Sequence, residues 1–185
     1  MYRDNTLIPT EAVRLAALGC LVEGERPYDE LTSELRYFIA RMIGPSLDLL
    51  GTSLDLMCYE GLAVPVGTAN GVLLSPQEIN GSTVLRITDA GNEAFRALMA
   101  SNIRAPVNDM SKLVVALKLR FLPLLMDFER VDQLEAMAEM CEQELVRLRD
   151  LQATYGEGLL GRWLSDEVDS LNARHAMFKL LQTAD

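Results

Sequence analysis

The 185-residue sequence contains few of the side chains from which catalytic and metal sites are usually built. It has one histidine and three cysteines, and Cys20, Cys58 and Cys141 lie far apart with no C-x-x-C pair. An odd and scattered set of this kind is typical of reduced cysteines in a core, not of a disulfide framework or a zinc site. The glycines also lack the ordered spacing of a phosphate-binding loop. The sequence therefore predicts no enzyme active site, no metal site and no cofactor.

Long apolar runs are absent as well. A membrane-spanning helix needs about 20 consecutive apolar residues, and no stretch of this sequence approaches that length. The N-terminal residues lead into a helical pattern that contains Arg14 and Glu23, which is unlike a secretory signal. Because 49% of the residues are apolar, a folded core is expected rather than disorder. We therefore expect a globular protein in the cytoplasm that does not enter a membrane.

Positive charge is scarce along the whole chain. The net charge is −10, from 17 basic and 27 acidic residues. Residues 1–104 contain eight arginines, no lysine and 13 acidic residues, and residues 105–185 contain nine basic and 14 acidic residues, so each part has a net charge of −5. No lysine or arginine lies between Arg41 and Arg86. This balance disfavours non-specific attraction to phosphates, and it excludes a basic half docked onto an acidic half.

Three apolar patterns of helical spacing fill the first third of the chain. The first predicts a helix over residues 10–22, with Thr10 as its N-cap and Gly24 as its end. The second predicts a helix over residues 28–43. The third, which Pro45 opens, predicts a helix over residues 45–59 with its leucines and Met57 buried on one face.

The spacing then changes from helix to strand. Residues 62–66 and 83–87 have the composition of short strands, and an Asn70-Gly71 turn precedes a third strand candidate at residues 72–74. Thr88 or Asp89 caps a helix that runs to about Ala100. Three helices, a small sheet with a loop and a further helix follow one another in the order of a winged-helix domain, which we place at residues 1–104.

The remaining residues, 105–185, are predicted to be helical. One helix ends at Pro123, and two long helices are expected over residues 127–155 and 160–182, with a glycine turn between them. Their apolar stripe is long and narrow, which indicates a helix-packing seam within one chain or between chains. A lone hairpin would expose too much apolar surface, so it should pair with a second chain. The residues predicted for this homodimer are Leu134, Cys141, Leu145, Leu148, Leu164, Val168, Leu171 and Phe178.

Several other side chains in this part have two interpretations. His175 occupies an apolar position of the last helix, which is typical of a buried, hydrogen-bonded histidine rather than a catalytic base. Two acidic runs, at residues 139–144 and 166–169, could suggest metal ligands, but they lie mainly outside the apolar stripe and indicate a solvated face. Met126, Met137 and Met140 are the residues to watch for a small-molecule effector, although methionines more often fill gaps in a core.

Two segments give the sequence a recognisable pattern. Residues 85–91 read Leu-Arg-Ile-Thr-Asp-Ala-Gly, a strand followed by a threonine and by a glycine one turn into a helix. Together with Ser46, Leu50, Leu54, Met57 and Glu60-Gly61-Leu62, this segment resembles the PadR-like transcriptional regulators. The long helix from Asp127 and the residues 158–164 are similar to the branch with a large C-terminal domain, typified by the virulence activator AphA. The resemblance covers most of the chain.

This resemblance implies a mainly α (α+β) fold, with an N-terminal winged helix-turn-helix domain and a C-terminal long-helix domain for antiparallel dimerisation. It also implies that the third helix enters the major groove of double-stranded DNA and that the wing touches the backbone. The DNA-binding residues then expected are Arg36, Arg41, Ser46, Thr52, Ser53 and Arg86, with the arginines on phosphates and the hydroxyl side chains near base edges.

The third helix departs from the family pattern. Gly51 stands where relatives usually have an aromatic residue, and Asp48 and Asp55 would repel phosphate. The three arginines have a second interpretation, in which they are solvated or paired with Glu34 and other acids. The alternative function is therefore a degenerate winged helix that serves as a protein-interaction or dimerisation module without DNA binding.

Overall fold

Helices dominate the computed structural model, which describes Leu7 and residues 9–43, 50–66, 79–103 and 109–183. The elements of the first part are α1 (Pro9–Glu23), β1 (Arg26–Pro27), α2 (Tyr28–Ile43), α3 (Leu50–Tyr59), β2 (Ala63–Pro65), β3 (Val84–Ile87) and α4 (Asp89–Met99). Three helices follow: α5 (Asp109–Phe121), α6 (Asp127–Tyr155) and α7 (Gly158–Thr183). The predicted helices are confirmed, apart from the first residues of the third one, which lie outside the described part. No described helix is both long and apolar enough to cross a membrane.

The N-terminal end of α1 differs from the prediction. Thr10 is the second residue of this helix, so it is not the N-cap, and Pro9 occupies the first helical position. Proline suits that position because its missing N–H has no partner in the first turn of any helix. Helix α1 is buried on almost all sides, since nine of its 15 residues are buried, from Ala12 to Leu21. It is therefore the central helix of the N-terminal part.

A three-stranded antiparallel sheet flanks these helices, with the strand order β1-β3-β2. Leu85 pairs with Arg26 on one side and with Pro65 on the other. Strands β2 and β3 were predicted, but β1 was not, because two residues that include a proline show no alternation of apolar and polar side chains. The strand candidate at residues 72–74 lies outside the described residues.

The turn between β3 and α4 shows why this segment combines a threonine with a glycine. Thr88 caps α4: its Oγ1 accepts a hydrogen bond from the Gly91 backbone N–H at 3.0 Å and donates one to the Gly61 carbonyl at 2.8 Å. A Cβ atom at position 91 would lie 2.1 Å from the Leu62 carbonyl oxygen, so only glycine fits there. The motif thus joins α4 to the end of α3.

Two apolar cores are present among the described residues. The first combines α1 to α5 and the sheet. The second is the seam between the antiparallel helices α6 and α7. All eight residues predicted for dimerisation lie in this seam and are at most 8% exposed within a single chain. These residues pack α6 on α7 of the same chain, and their part in a dimer stays a prediction. The eight residues are Leu134, Cys141, Leu145, Leu148, Leu164, Val168, Leu171 and Phe178.

Helix α5 belongs to both cores. Leu113, Leu117 and Phe121 are buried in the first core, whereas Val115 and Leu119 pack against the second. Dividing the chain into residues 1–104 and 105–185 therefore separates α5 from the core that buries most of its apolar side chains. We use the name winged-helix unit for α1 to α5 with the sheet, and the name hairpin for α6 and α7.

Candidate nucleic-acid interface

The outer face of α2 carries two of the predicted phosphate-binding residues. Arg36 and Arg41 are both exposed, and Tyr37 between them is 67% exposed. The Arg41 guanidinium lies 5.3 Å from the centroid of the Tyr37 ring, a cation–π contact. Among the residues that the structure describes, neither arginine forms an ion pair. These cations are therefore available to a ligand outside the chain.

Other arginines of the winged-helix unit are neutralised inside the chain. Arg26 pairs with Glu34 at 2.8 Å and with Glu23 at 3.0 Å, and Arg120 pairs with the same two carboxylates. The sequence suggested Glu34 as a partner for the candidate DNA-binding arginines, but Glu34 forms its ion pairs with Arg26 and Arg120. This network connects α1, β1, α2 and α5. Within the described part of the chain, Arg36 and Arg41 take no part in it.

The other four predicted DNA-binding residues are either half-buried or have side chains outside the described part of the chain. Arg86 is half-buried on β3 and has an interaction partner within the chain, so it is not a free cation. Ser46 lies outside the described residues. Thr52 and Ser53 lie on α3, but their side chains are also outside the described part of the chain. The described side chains that remain available for the predicted interface are therefore Arg36 and Arg41, which are both exposed on α2.

Asp55 has an internal role that the sequence did not reveal. Its Oδ1 accepts a hydrogen bond of 2.8 Å from the hydroxyl of Tyr28, which stands at the start of α2. Burial and this hydrogen bond raise the pKa of Tyr28 above its ordinary value. The carboxylate thus fixes α3 against α2 instead of facing a phosphate. Residues 27 positions apart give no periodic signal, so spacing alone could not pair them.

One cluster has the composition of a metal site. Cys20, Glu23 and Glu34 bring a thiol and two carboxylates within 4.8 Å of one another. Both carboxylates, however, already pair with Arg26 and Arg120. Burial also raises the pKa of the Cys20 thiol to about 11, which disfavours the thiolate that binds metal. The cluster is better explained as an ion-pair network.

His175 and the first acidic run are only partly as predicted. His175 is half-buried, not in the core, and its Nε2 lies 2.9 Å from Glu142 on the neighbouring helix. Glu144 is a correction to the predicted solvated face, because it is buried and forms an ion pair with Arg147. The acids of the second run, Asp166, Glu167 and Asp169, are exposed as predicted.

The three methionines considered for an effector do not share a pocket. Met137 and Met140 are buried in the α6–α7 seam, and Met126 is exposed. A cavity of about 400 Å³ lies instead at the base of the hairpin, and none of the three methionines lines it. Five apolar residues line it, with Asp127, Arg130 and Gln182 as polar members. The Nε2 atom of Gln182 is buried and has no hydrogen-bond partner in the described part of the chain.

The hairpin also exposes many large apolar side chains, which form two groups at its ends. The tip patch lies around the turn between α6 and α7 and includes Leu159, which is 84% exposed. The base patch lies at the opposite end. The tip patch consists of Leu151, Tyr155, Leu159, Leu160 and Trp163, and the base patch consists of Phe128, Val131, Met177, Leu180 and Leu181.

This architecture is that of a winged-helix protein with a long C-terminal helical hairpin. The chain belongs to the family of AphA-like transcriptional regulators, whose family model matches residues 2–181. This is a family of regulators and not of enzymes. The match to the family model confirms the resemblance seen in the sequence. A search of the curated proteins finds no match.

Solved structures of a PadR protein are also similar to the chain. The crystal structure of Bacillus subtilis PadR has 15% identity and a TM-score of 0.40, and the match covers 96% of each chain. PadR of the same organism in complex with operator DNA has 18% identity and a TM-score of 0.38, covering 92% of this chain and 97% of that chain. PadR in complex with p-coumaric acid has 16% identity and a TM-score of 0.39, covering 96% and 97%. These TM-scores are low, so the family assignment rests on the family model.

Proposed function

We propose that the protein is a cytoplasmic transcriptional regulator that binds double-stranded DNA as a homodimer through its winged-helix unit. Membership of a family of transcriptional regulators supports a role at DNA. The observation that carries the proposal is the outer face of α2, where Arg36, Tyr37 and Arg41 are exposed and the two arginines have no ion pair among the described residues. Unpaired exposed cations stand out in a protein with a net charge of −10.

Arginines in this position suit phosphate contacts. A guanidinium offers several N–H donors in a fixed plane, and it binds phosphate oxygens without reading the base sequence. Stacking on Tyr37 holds the Arg41 guanidinium in one place. With so few cations, we expect a weak dependence of affinity on salt, because each neutralised phosphate contributes about 0.9 to the logarithmic slope.

The homodimer is supported by the exposed apolar side chains of the hairpin. Helix α6 has 29 residues and is therefore about 43 Å long, which separates the tip patch from the base patch. In a two-fold dimer of antiparallel hairpins, the tip patch of one chain faces the base patch of its partner. Both patches are then covered at once, and the residues of the seam stay inside each chain.

Fluorescence anisotropy on a labelled DNA duplex at low salt tests the DNA-binding part. The double variant Arg36→Ala/Arg41→Ala should lose most of the affinity for the duplex. Arg149→Ala/Lys179→Ala is the matched control, because it removes two exposed charges from the hairpin and should bind like the wild type. Equal binding by both double variants would show that the interface lies elsewhere.

The second candidate is a winged helix that binds proteins but not DNA. It is favoured by one observation, the absence of any lysine or arginine between Arg41 and Arg86, which leaves α3 without a cation. Wild-type protein that fails to bind duplex even at low salt, where electrostatic attraction is strongest, would establish this candidate and refute the first.

A small-molecule effector is part of the first proposal. We assign the effector to the cavity at the base of the hairpin, because five apolar residues line it together with Asp127, Arg130 and Gln182, and the Gln182 Nε2 has no hydrogen-bond partner among the described residues. Such a site suits a small, mainly apolar molecule that carries a hydrogen-bond acceptor. A shift in the melting temperature with p-coumaric acid as the probe, lost in Gln182→Leu, is the expected result.

A further inference from the structure

Lys118 is the most unusual side chain of the molecule outside the proposed interface. It is only 1% exposed and is among the largest fully buried side chains of the described residues. Lysine is almost never fully buried unless it is paired with an acid. Here the three hydrogen-bond acceptors of its Nζ are all uncharged, and burial lowers the pKa of Lys118 to about 8. The group still carries its proton at neutral pH.

The three acceptors come from two different parts of the chain. Nζ donates a hydrogen bond of 2.6 Å to the carbonyl of Met99, the last residue of α4, and a further one to the carbonyl of Ser101. The third, of 2.8 Å, goes to Oε1 of Gln133 on α6. Carbonyls at the end of a helix lack partners within that helix and carry partial negative charge. The ammonium thus satisfies the end of α4 while it holds the start of the hairpin.

A buried ammonium is costly even when it is hydrogen-bonded, so stability alone does not explain this arrangement. An apolar residue would fill the same space without that cost. The lysine differs from an apolar residue in that its three N–H donors fix three acceptors at defined angles. Leu134, next to Gln133, is buried in the second core. The hydrogen bond to Gln133 therefore holds α6 at the point where this helix enters that core.

We propose that Lys118 is a positioning residue that fixes the orientation of the hairpin relative to the winged-helix unit. The functional consequence rests on the proposed function: in a dimer held by the hairpins, this orientation sets the distance between the two DNA-binding units. The positioning itself is a property of one chain, and it can be tested without DNA and without the dimer.

The test measures a distance between spin labels by pulsed electron paramagnetic resonance. Glu93→Cys on α4 and Asp150→Cys on α6 place two exposed thiols on the two parts. The native Cys20, Cys58 and Cys141 are buried and their pKa values are raised by burial, so they stay unlabelled. Labelled chains are diluted into an excess of unlabelled wild type, so that only distances within one chain are observed.

Four variants then decide the question. Lys118→Met and Gln133→Leu should broaden or shift the distance distribution. Gln133→Glu, which offers a carboxylate to the ammonium, should keep the distribution as narrow as in the wild type, and so should the control Lys179→Met, which removes an exposed lysine from α7. A purely structural role would change the melting temperature and leave the distribution as it is.

The outcomes separate this inference from the proposed function. If Lys118→Met does not fold, Gln133→Leu decides alone, because it keeps the lysine and removes only the acceptor on the hairpin. An unchanged distribution in Gln133→Leu overturns the inference. A broadened one supports it even if the wild type proves not to bind DNA, which is a failure of the proposed function only.

Discussion

The winged-helix unit and the hairpin bury their apolar side chains in different ways. In the winged-helix unit, α1 is surrounded by other elements, and the core that results is closed within one chain. The hairpin has a single seam: among its described residues it buries 11 apolar side chains and exposes 11 large ones. Two helices can cover only one face of each other. The hairpin is therefore the part for which we propose a partner chain.

The comparison also shows where the two parts depend on each other. Helix α5 contributes side chains to both cores, and Lys118 on this helix joins the end of α4 to the start of α6. A change in the closed core should therefore act through folding stability. A change on the outside of the hairpin should act through association. The predictions that follow test this division.

The largest effect is expected in the closed core. Phe121 is fully buried and meets Phe95 edge to face, with ring centroids 6.1 Å apart. Phe121→Ala should lower the free energy of unfolding by about 3–5 kcal/mol, because it removes an aromatic contact and leaves a cavity. Urea denaturation measures this change. Phe128→Ala is the control, since it makes the same replacement at an exposed position of the hairpin, and a comparable loss there would break the comparison.

Lys118 should give the next largest effect, and it should depend on pH. Its pKa is lowered from 10.5 to about 8 in the folded protein, so the folded state disfavours the ammonium relative to the unfolded state. The stability that the neutral amine of Lys118 contributes is fully present above about pH 10.5, and it is lost as the pH falls through about 8. Relative to Lys118→Met, the wild type should gain up to about 3 kcal/mol between pH 7 and pH 10.5. A difference that stays constant over this range would contradict the assigned burial.

The fold was largely predictable because its signals are local. The helical spacing of apolar residues predicted α6 from Asp127 to Tyr155, with both bounds confirmed. The segment that contains Thr88 and Gly91 predicted the cap of α4, because both residues act within one turn. Where an element depends on a distant strand, as β1 depends on β3, the local spacing of residues carries no comparable signal.

The candidate site was less predictable, because it depends on which charges are neutralised by distant residues. The network of Arg26 and Arg120 with Glu23 and Glu34 joins residues far apart in the chain. For Lys118 a signal did exist, since Val114, Lys118 and Phe121 share one face of a helix at spacings of four and three. For the predicted dimer residues, apolar spacing shows that a face is buried, but not whether the same chain or a partner covers it. Their burial in the α6–α7 seam accounts for that spacing within one chain.

A smaller effect is expected at the tip patch, and it should concern association only. Leu159 is 84% exposed, so Leu159→Ser removes no packing within its own chain. If the tip patch contacts a partner, the dissociation constant of the dimer should rise about tenfold, which corresponds to about 1.4 kcal/mol. Sedimentation over a series of concentrations measures it. Val146→Ser, at a position that is 70% exposed and lies outside both patches, should leave the dimer unchanged.

The smallest effect is expected for an exposed ion pair of the hairpin. Arg130 and Asp127 lie 2.5 Å apart in the first turn of α6, where the Asp127 side chain is 93% exposed. Water and salt screen such a pair, and Asp127 keeps its favourable position at the helix N-terminus when Arg130 is removed. Arg130→Ala should therefore change the free energy of unfolding by less than about 0.5 kcal/mol. Arg120→Ala should cost more, because Arg120 is partly buried, pairs with Glu34 and lies 5.1 Å from the centroid of the Phe121 ring. If the two variants unfold with the same free energy in urea, the closed core gains nothing from its ion pairs, and the contrast between the two parts rests on apolar packing alone.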